Sequence, residues 1–482
     1  MQKIWFCVST RCRKLRTIDC ISGIDIEGAV FSSAALFFFP RNTFVAANPP
    51  AGIIPEKVVC AGVLFSFLQK NNYYQEGIYQ MKKLLSMILA AAMVFSLCAM
   101  SASAETDVKV GMVCIGDEND QGYTYNFIRA TETASEALKA EGINVEWVFK
   151  FNLIEGDPVA EANEELADDG CQLIINNSYG QEPAMLQVAG DYPETVFVGC
   201  TNEGSWKDSL DNTVNAFSRI HEGRYLAGVV AGMKLQEMID NGEIAADEAV
   251  IGYVGAYSFA EVISGFTAYY LGAKSVCPSV TMKVQFVGSW SDATEEANAA
   301  QALCDMGCKI ISQHSDNTTP ATTAEKNGVF HTGYNADMLA AAPAASIIST
   351  RIDWTNYFVY AIKAVVNGET VDADYSNGLA EGEVVLTTLN EDICAAGTAE
   401  KLAEVEAALM DGSLHVFDTD TFTVGGEKVE TCLALDTDGD FTADTGEAIY
   451  DGYFHESEVP GLQSAPFFAL RIDGIEWVNE AY

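Results

Sequence analysis

Positive charge is scarce in this sequence: 27 lysines and arginines stand against 68 aspartates and glutamates over 482 residues, a net charge of −41. So acidic a surface repels phosphate backbones, which excludes nucleic acid as a natural partner. The acidity is spread along the chain rather than gathered in a tail, and so describes a solvated surface. Histidine is also rare. The five (His221, His314, His331, His415, His455) form no HExxH, and the chain has no G-x-S-x-G elbow, P-loop or G-x-G-x-x-G. These absences lean away from an enzyme. Beyond residue 104 the cysteines (Cys114, Cys171, Cys200, Cys277, Cys304, Cys308, Cys394, Cys432) lack the spacing of a disulfide framework or zinc site. Cys304 and Cys308 share a helix face but lack partner ligands, so no metal or cofactor is expected and the thiols read as small buried hydrophobes.

The apolar run from Leu84 to Cys98 is too short for a comfortable membrane span. It follows Met81-Lys82-Lys83 and precedes Ala102-Ser103-Ala104, so basic end, apolar middle and small-x-small site spell an export signal over residues 81–104. Residues 1–80, with clumped stretches such as Ala35-Leu36-Phe37-Phe38-Phe39 and no period, read as a mis-started or disordered upstream extension. A genuine extension, making the run an anchor, is the alternative. Cleavage after Ala104 is expected, which exports the mature chain to the cell envelope or extracellular face. A lipid anchor at Cys98 is the competing possibility, against which Phe95-Ser96-Leu97 lacks the small residue required just upstream. The first 104 residues hold 10 basic and 5 acidic side chains, so the remainder carries 17 against 63. Its length suits two domains.

Short β-rich runs alternate with helical patterns. The runs are Val108–Cys114, Val145–Phe149, Leu173–Asn176, Val196–Val198, Val250–Val254, Val284–Val287, Lys309–Ser312 and Ile347–Ser349; the helices include Tyr125–Ala140, Glu222–Met238, Val262–Ser275, Ala293–Asp305 and Thr355–Val366. This βαβ rhythm predicts an α/β chain of two doubly wound parallel-sheet lobes. Beyond about Asn367 one helix (Thr398–Met410) and hairpin-like segments around His415–Val429 read as a tail packed on the lobes.

In such sheets ligands bind beyond the carboxyl ends of the strands, so the residues after each run carry the information. They are polar and aromatic: Asn119, Asp120, Gln121, Tyr123 and Tyr125 after the first strand, where a helix amino terminus offers unpaired N–H groups; Ser178 and Tyr179; Trp290; Gln313, His314 and Asp316; Tyr334 and Asp337. Such a set reads as a cleft closing around a small polar ring system. Trp290, among small polar residues, is a stacking platform.

The stretches Asp120-Gln121-Gly122-Tyr123-Thr124-Tyr125, His221-Glu222-Gly223-Arg224-Tyr225-Leu226-Ala227-Gly228, Gly265-Phe266 through Leu271-Gly272-Ala273-Lys274-Ser275-Val276, Ser289-Trp290-Ser291-Asp292 and Gln313-His314-Ser315-Asp316 resemble the basic membrane protein family of ABC-transporter substrate-binding proteins, in its Med-like branch. The resemblance implies a type I periplasmic-binding fold with three crossover strands, lobe 1 spanning 105–221 plus about 352–378 and lobe 2 spanning 222–351 plus about 379–482 with a C-terminal extension. It implies a monomer that captures a purine base or nucleoside and delivers it to an ABC permease. The purine would be sandwiched between Tyr123 and Trp290, each face contributing on the order of 1–3 kcal/mol. Asn119, Asp120, Gln313 and Asp316 would read its heteroatoms, with Gln121, Tyr125, Ser178, Tyr179, His314, Tyr334 and Trp354 also lining the site. Asp337, with Arg351 near it, falls where members hold a ribose; Asn335-Ala336-Asp337-Met338 departs from the nucleoside binders' Asp-x-Asp-Gln pattern. His221–Gly228 is assigned a structural role. The alternatives are an exported nucleoside hydrolase-like enzyme, using Asp120 or Asp316, or a ligand-sensing protein. Late in the chain Asp436, Asp438, Asp440, Asp444 and Glu447 follow an EF-hand-like calcium register, but the glycine stands at position 4 instead of 6, so a solvated hairpin loop is expected there.

Overall fold

A computed structural model describes residues 6–7, 20–21 and 105–481, the last span without 155, 202–209, 436–442, 444 and 458–463. Phe6–Cys7 pairs antiparallel with Cys20–Ile21. The rest of the upstream extension, the export signal from Met81 to Ala104 with Cys98, and Asp436, Asp438, Asp440 and Asp444 lie outside the described residues. Among the described residues no helix is long and apolar enough to cross a membrane.

The first sheet contains β1 (Thr106–Val113), β2 (Ile143–Lys150), β3 (Leu173–Asn176), β4 (Val196–Gly199), β5 (Thr213–Ala216) and, from much later in the chain, β11 (Asp374–Tyr375). The second contains β6 (Val250–Gly255), β7 (Thr281–Phe286), β8 (Ile310–Gln313), β9 (Phe330–Tyr334), β10 (Ser346–Ile352), β12 (Val384–Leu386) and β13 (Ile475–Trp477). Their orders are 11-5-4-3-1-2 and 12-10-9-8-6-7-13. Each core therefore repeats one doubly wound pattern, 2-1-3-4-5, all parallel, with only β12 running antiparallel. Leu173-Ile174-Ile175 is wholly buried, as expected of a strand covered on both faces. Two strands of the five-stranded cores escaped the sequence pattern, β5 and β9, as did the short flanking strands β11, β12 and β13. In β5 and β9, Thr213, Asn215, His331 and Thr332 look like surface residues, yet all are buried and bonded internally.

Helix α1 (Tyr123–Ala140) buries Phe127, Ala130, Ala134 and Leu138, a single stripe at helical spacing, and packs with α8 (Thr355–Asn367) on the first sheet. In sequence order the helices between them are α2 (Asp157–Asp168), α3 (Glu182–Ala189), α4 (Ile220–Asp240), α5 (Ala260–Val276), α6 (Ala293–Asp305) and α7 (Thr319–Asn327). Helices α4 and α5 make close backbone contact: a Cβ on Gly228 would stand 2.0 Å from the Tyr269 carbonyl oxygen, and one on Gly272 2.0 Å from that of Tyr225. That contact gives the His221–Gly228 stretch a packing role.

The chain passes between the sheets three times: after β5, between β10 and α8, and between β11 and β12. The three links meet at Glu383, which is buried. Its carboxylate accepts from Ser218 Oγ (3.3 Å), Tyr375 Oη (2.5 Å) and Asn377 Nδ2 (3.2 Å), while its carbonyl accepts from Asp353 N at 2.7 Å. Burial pushes its carboxyl above the ordinary range.

Candidate functional site

The strand ends of the two sheets face one cavity of about 680 Å³ including its mouth. The first lobe supplies Ile115, Tyr123, Ser178, Tyr179, Cys200, Thr201 and Phe217. The second supplies Phe259, Ala260, Glu261, Trp290, His314, Asp316, Tyr334 and Asn335, and Ala465 and Pro466 complete the wall. The cavity's aromatic lining, with a few polar side chains, suits a small ring compound.

Tyr123 is set by its surroundings. Its ring meets Phe127 edge-on at 5.0 Å and Trp354 at 6.2 Å, and its hydroxyl donates to the Cys200 carbonyl at 3.0 Å. Trp290, half-buried, meets Tyr257 edge-on at 5.3 Å. Tyr179 and Phe259, from opposite lobes, stack at 5.9 Å.

Behind Trp290 and Tyr334 lies a charged relay. Arg224, fully buried in α4, donates to the Gln313 carbonyl (3.0 Å) and to His314 Nδ1 (3.1 Å), with its guanidinium carbon 3.4 Å from the Tyr334 ring centre. Arginine only donates, so Nδ1 is an acceptor and the imidazole proton sits on Nε2, which gives it to Glu261 Oε2 at 2.6 Å. Burial lowers the His314 pKa below the usual imidazole value, keeping the ring neutral at pH 7. The relay compensates a buried cation and presents a carboxylate on the cavity wall.

Asp316 joins the lobes. Its Oδ1 accepts from the Tyr123 backbone N–H at 2.9 Å, at the amino end of α1, and from Asn335 Nδ2 at 3.1 Å; Asn126 Nδ2 donates across the cleft to Asn335 Oδ1 at 3.1 Å. Gly122 permits this approach, since a Cβ there would stand 2.5 Å from the Asp316 Cα. Burial, with Asp120 nearby, pushes the Asp316 carboxyl well above the carboxylate range.

Of the residues expected at the site, Tyr123, Ser178, Tyr179, Trp290, His314, Asp316 and Tyr334 stand on this wall. The others do not. Asp120 caps α1, accepting from the Gly122, Thr124 and Tyr125 amides; Asn119, Gln121 and Tyr125 are exposed. Gln313 is buried, with its amide spent on Ser315 O, Asn317 O and His331. Trp354 is buried among Phe127 and Phe358, supporting Tyr123 from behind. Asp337 is exposed and accepts from Leu339 N, and Arg351 pairs with Asp353. In the late loop Glu447 accepts from Cys432 N and Ile449 N. The sequence reading passed over Phe259, Glu261, Asn335, Cys200, Thr201 and Phe217. Most follow strand ends, and the rule that selected Trp290, applied after Val250–Val254, points to Phe259 and Glu261.

Two lobes of one topology, three crossings and a ligand-sized cavity at the strand ends define a solute-binding protein of the type I periplasmic-binding fold. Residues 107–413 match the family described as ABC transporter substrate-binding protein PnrA-like, and the chain belongs to that family. A purine-binding protein of Brucella abortus is 32% identical over 341 residues, covering 68% of this chain and 91% of that one. A putative ABC transporter glucose-binding protein of Haloferax volcanii is 28% identical over 321 residues, 65% of this chain and 77% of that one. Among solved structures, a solute-binding protein of an ABC transporter system from Aeropyrum pernix shares the fold at a TM-score of 0.53 and 18% identity, over 64% of this chain and 93% of that one.

Proposed function

We propose that this substrate-binding protein works as a monomer outside the cytoplasmic membrane, captures a purine base or nucleoside and hands it to an ABC permease without covalent chemistry. Within the family we assign it to the Med-like branch on its motifs. The observation carrying the ligand assignment is the combination, in one cavity, of aromatic rings from both lobes with fixed acceptors at Glu261 and Asp316. Purines offer flat faces to Tyr123 and Trp290 and N–H groups to Glu261. A ligand without matching groups leaves these buried atoms unpaired at a cost of about 1–3 kcal/mol each, which is the source of selectivity. The purine-binding relative from Brucella supports the same chemistry.

Calorimetric titration with adenine, hypoxanthine, guanine, their nucleosides and glucose tests this. Heat with a purine and none with glucose is expected; the reverse overturns the purine assignment. Sustained product formation from inosine or adenosine overturns the binding-only role.

A further inference from the structure

The family match ends at residue 413, yet the cavity wall includes Ala465 and Pro466. The segment around them is fastened at both ends. Ser464, wholly buried, donates through both its backbone N–H and its Oγ to Asp374 Oδ1 at 2.8 Å, and Asn215 Nδ2 donates to Ser464 Oγ at 2.7 Å. Asp374 and Asn215 belong to β11 and β5 of the first sheet. Two residues beyond the cavity, the Phe467 and Phe468 amides donate to Glu456 Oε2 (3.2 and 2.9 Å), and Phe468 stacks on Phe417 at 4.3 Å, whose ring lies 5.5 Å from His221 at the start of α4. The chain then enters the second sheet as β13 beside β7, and Ala481 exchanges hydrogen bonds with Ser258 in the loop that carries Phe259.

We propose that Ser464–Phe468 is a strap that ties the two lobes across the cleft and, through Ala465 and Pro466, forms one wall of the ligand cavity. It adds to the three crossovers a fourth link, made of side-chain hydrogen bonds that can break while the chain stays folded. Neither side chain carries a polar atom and proline brings no N–H, so the side chains of this wall offer the ligand an apolar surface. Opening the cleft separates Ser464 from Asp374, so the strap slows ligand release. The wall's part in binding rests on the small-molecule role proposed above; the tie does not.

Asp374 is exposed, so Asp374→Ala removes three hydrogen bonds without opening a cavity in the core, and Ser464→Ala removes the tie from the other side. Amide exchange on the ligand-free chain reads the tie. In Asp374→Ala, and again in Ser464→Ala, the Tyr123 amide that donates to Asp316 across the cleft should exchange at least roughly tenfold faster, since each variant loses at least one charge-assisted bond of the tie. Exchange at Tyr123 as in the wild type overturns the tie. Pro466→Trp reads the wall, using whichever of hypoxanthine, inosine and glucose the wild type binds. Roughly tenfold weaker binding with Tyr123 exchange unchanged is expected, because an indole would occupy the space of the ligand. Wild-type affinity overturns the wall. Binding of glucose alone overturns the purine assignment and leaves both strap results standing.

Discussion

The two lobes repeat one topology and differ in what they place at its matching points. The ends of β3 and β8 are equivalent: the Asn177 amide donates to the Val113 carbonyl and the His314 amide to the Val254 carbonyl. After β3 the chain reads Asn176-Asn177-Ser178-Tyr179, and after β8 Gln313-His314-Ser315-Asp316. Asn177 is neutral and inward, accepting from Ile115 N (2.8 Å) and donating to Thr124 Oγ1 (3.2 Å). His314 sits between a buried arginine and a carboxylate. One position is occupied in the first lobe by an amide bonded within that lobe, and in the second by an imidazole held between a buried arginine and a carboxylate. Both lobes bring aromatic rings to the cavity, but at this point only the second brings ionic groups.

This asymmetry can be broken in order of effect. Arg224→Ala removes a large, fully buried side chain and leaves the Gln313 carbonyl and His314 Nδ1 without its guanidinium, and should cost about 3–5 kcal/mol in urea unfolding. Asn177→Ala at the matching side of the first lobe should cost about 1–3 kcal/mol; equal losses would mean that the lobes are not asymmetric.

Charge behind the second lobe also sets a pH response. Burial, with Glu261 adding repulsion, pushes the Glu456 carboxyl up to about 7. Between the ordinary carboxylate range and about pH 7 the folded chain holds a proton that the unfolded chain has released, so stability falls as pH rises through that window and levels above it. Glu296, Glu383 and Asp316 are raised in the same sense. Glu456→Gln should remove about 3 kcal/mol of that decline, read as the difference in unfolding free energy between pH 5 and pH 8. A pH profile as steep as the wild type's would take Glu456 out of this account.

At the ligand the contrast is smaller. Trp290→Ala should weaken purine binding by roughly tenfold or more without unfolding the chain, whereas Tyr123→Phe, keeping the ring and losing only the bond to Cys200, should cost about 1 kcal/mol of stability and little affinity. Calorimetry and thermal melts of the two variants check both, and unchanged affinity in Trp290→Ala removes that ring from the site.

How much of this was legible beforehand differs along the chain. The strands rich in isoleucine and valine announce themselves because parallel strands are buried on both faces. Thr213–Ala216 and Phe330–Tyr334 do not, since their polar groups are satisfied by neighbours distant in sequence: His331 by Gln313 and Ser346, and Asn215 by Asp374 and Ser464. Ile475–Trp477 is too short to read as a strand without the edge of β7 to complete it. The strand-end rule locates the cavity yet does not say which neighbour faces it. Adjacent side chains on a strand point to opposite sides, and so Gln313 turns inward while His314 reaches the wall.

By itself the sequence determines the alternation of strand and helix, the acidic surface and the family, because these depend on local periodicity, composition and motifs. Tertiary structure alone decides that Arg224, His314 and Glu261 form one relay, that Asp316 caps a helix of the opposite lobe, and that residues beyond the family match wall the cavity. Those contacts join residues up to 249 positions apart, as Asn215 to Ser464 shows. Hydrogen bonding at about 3 Å depends on where the folded backbone brings two groups, which no local pattern encodes.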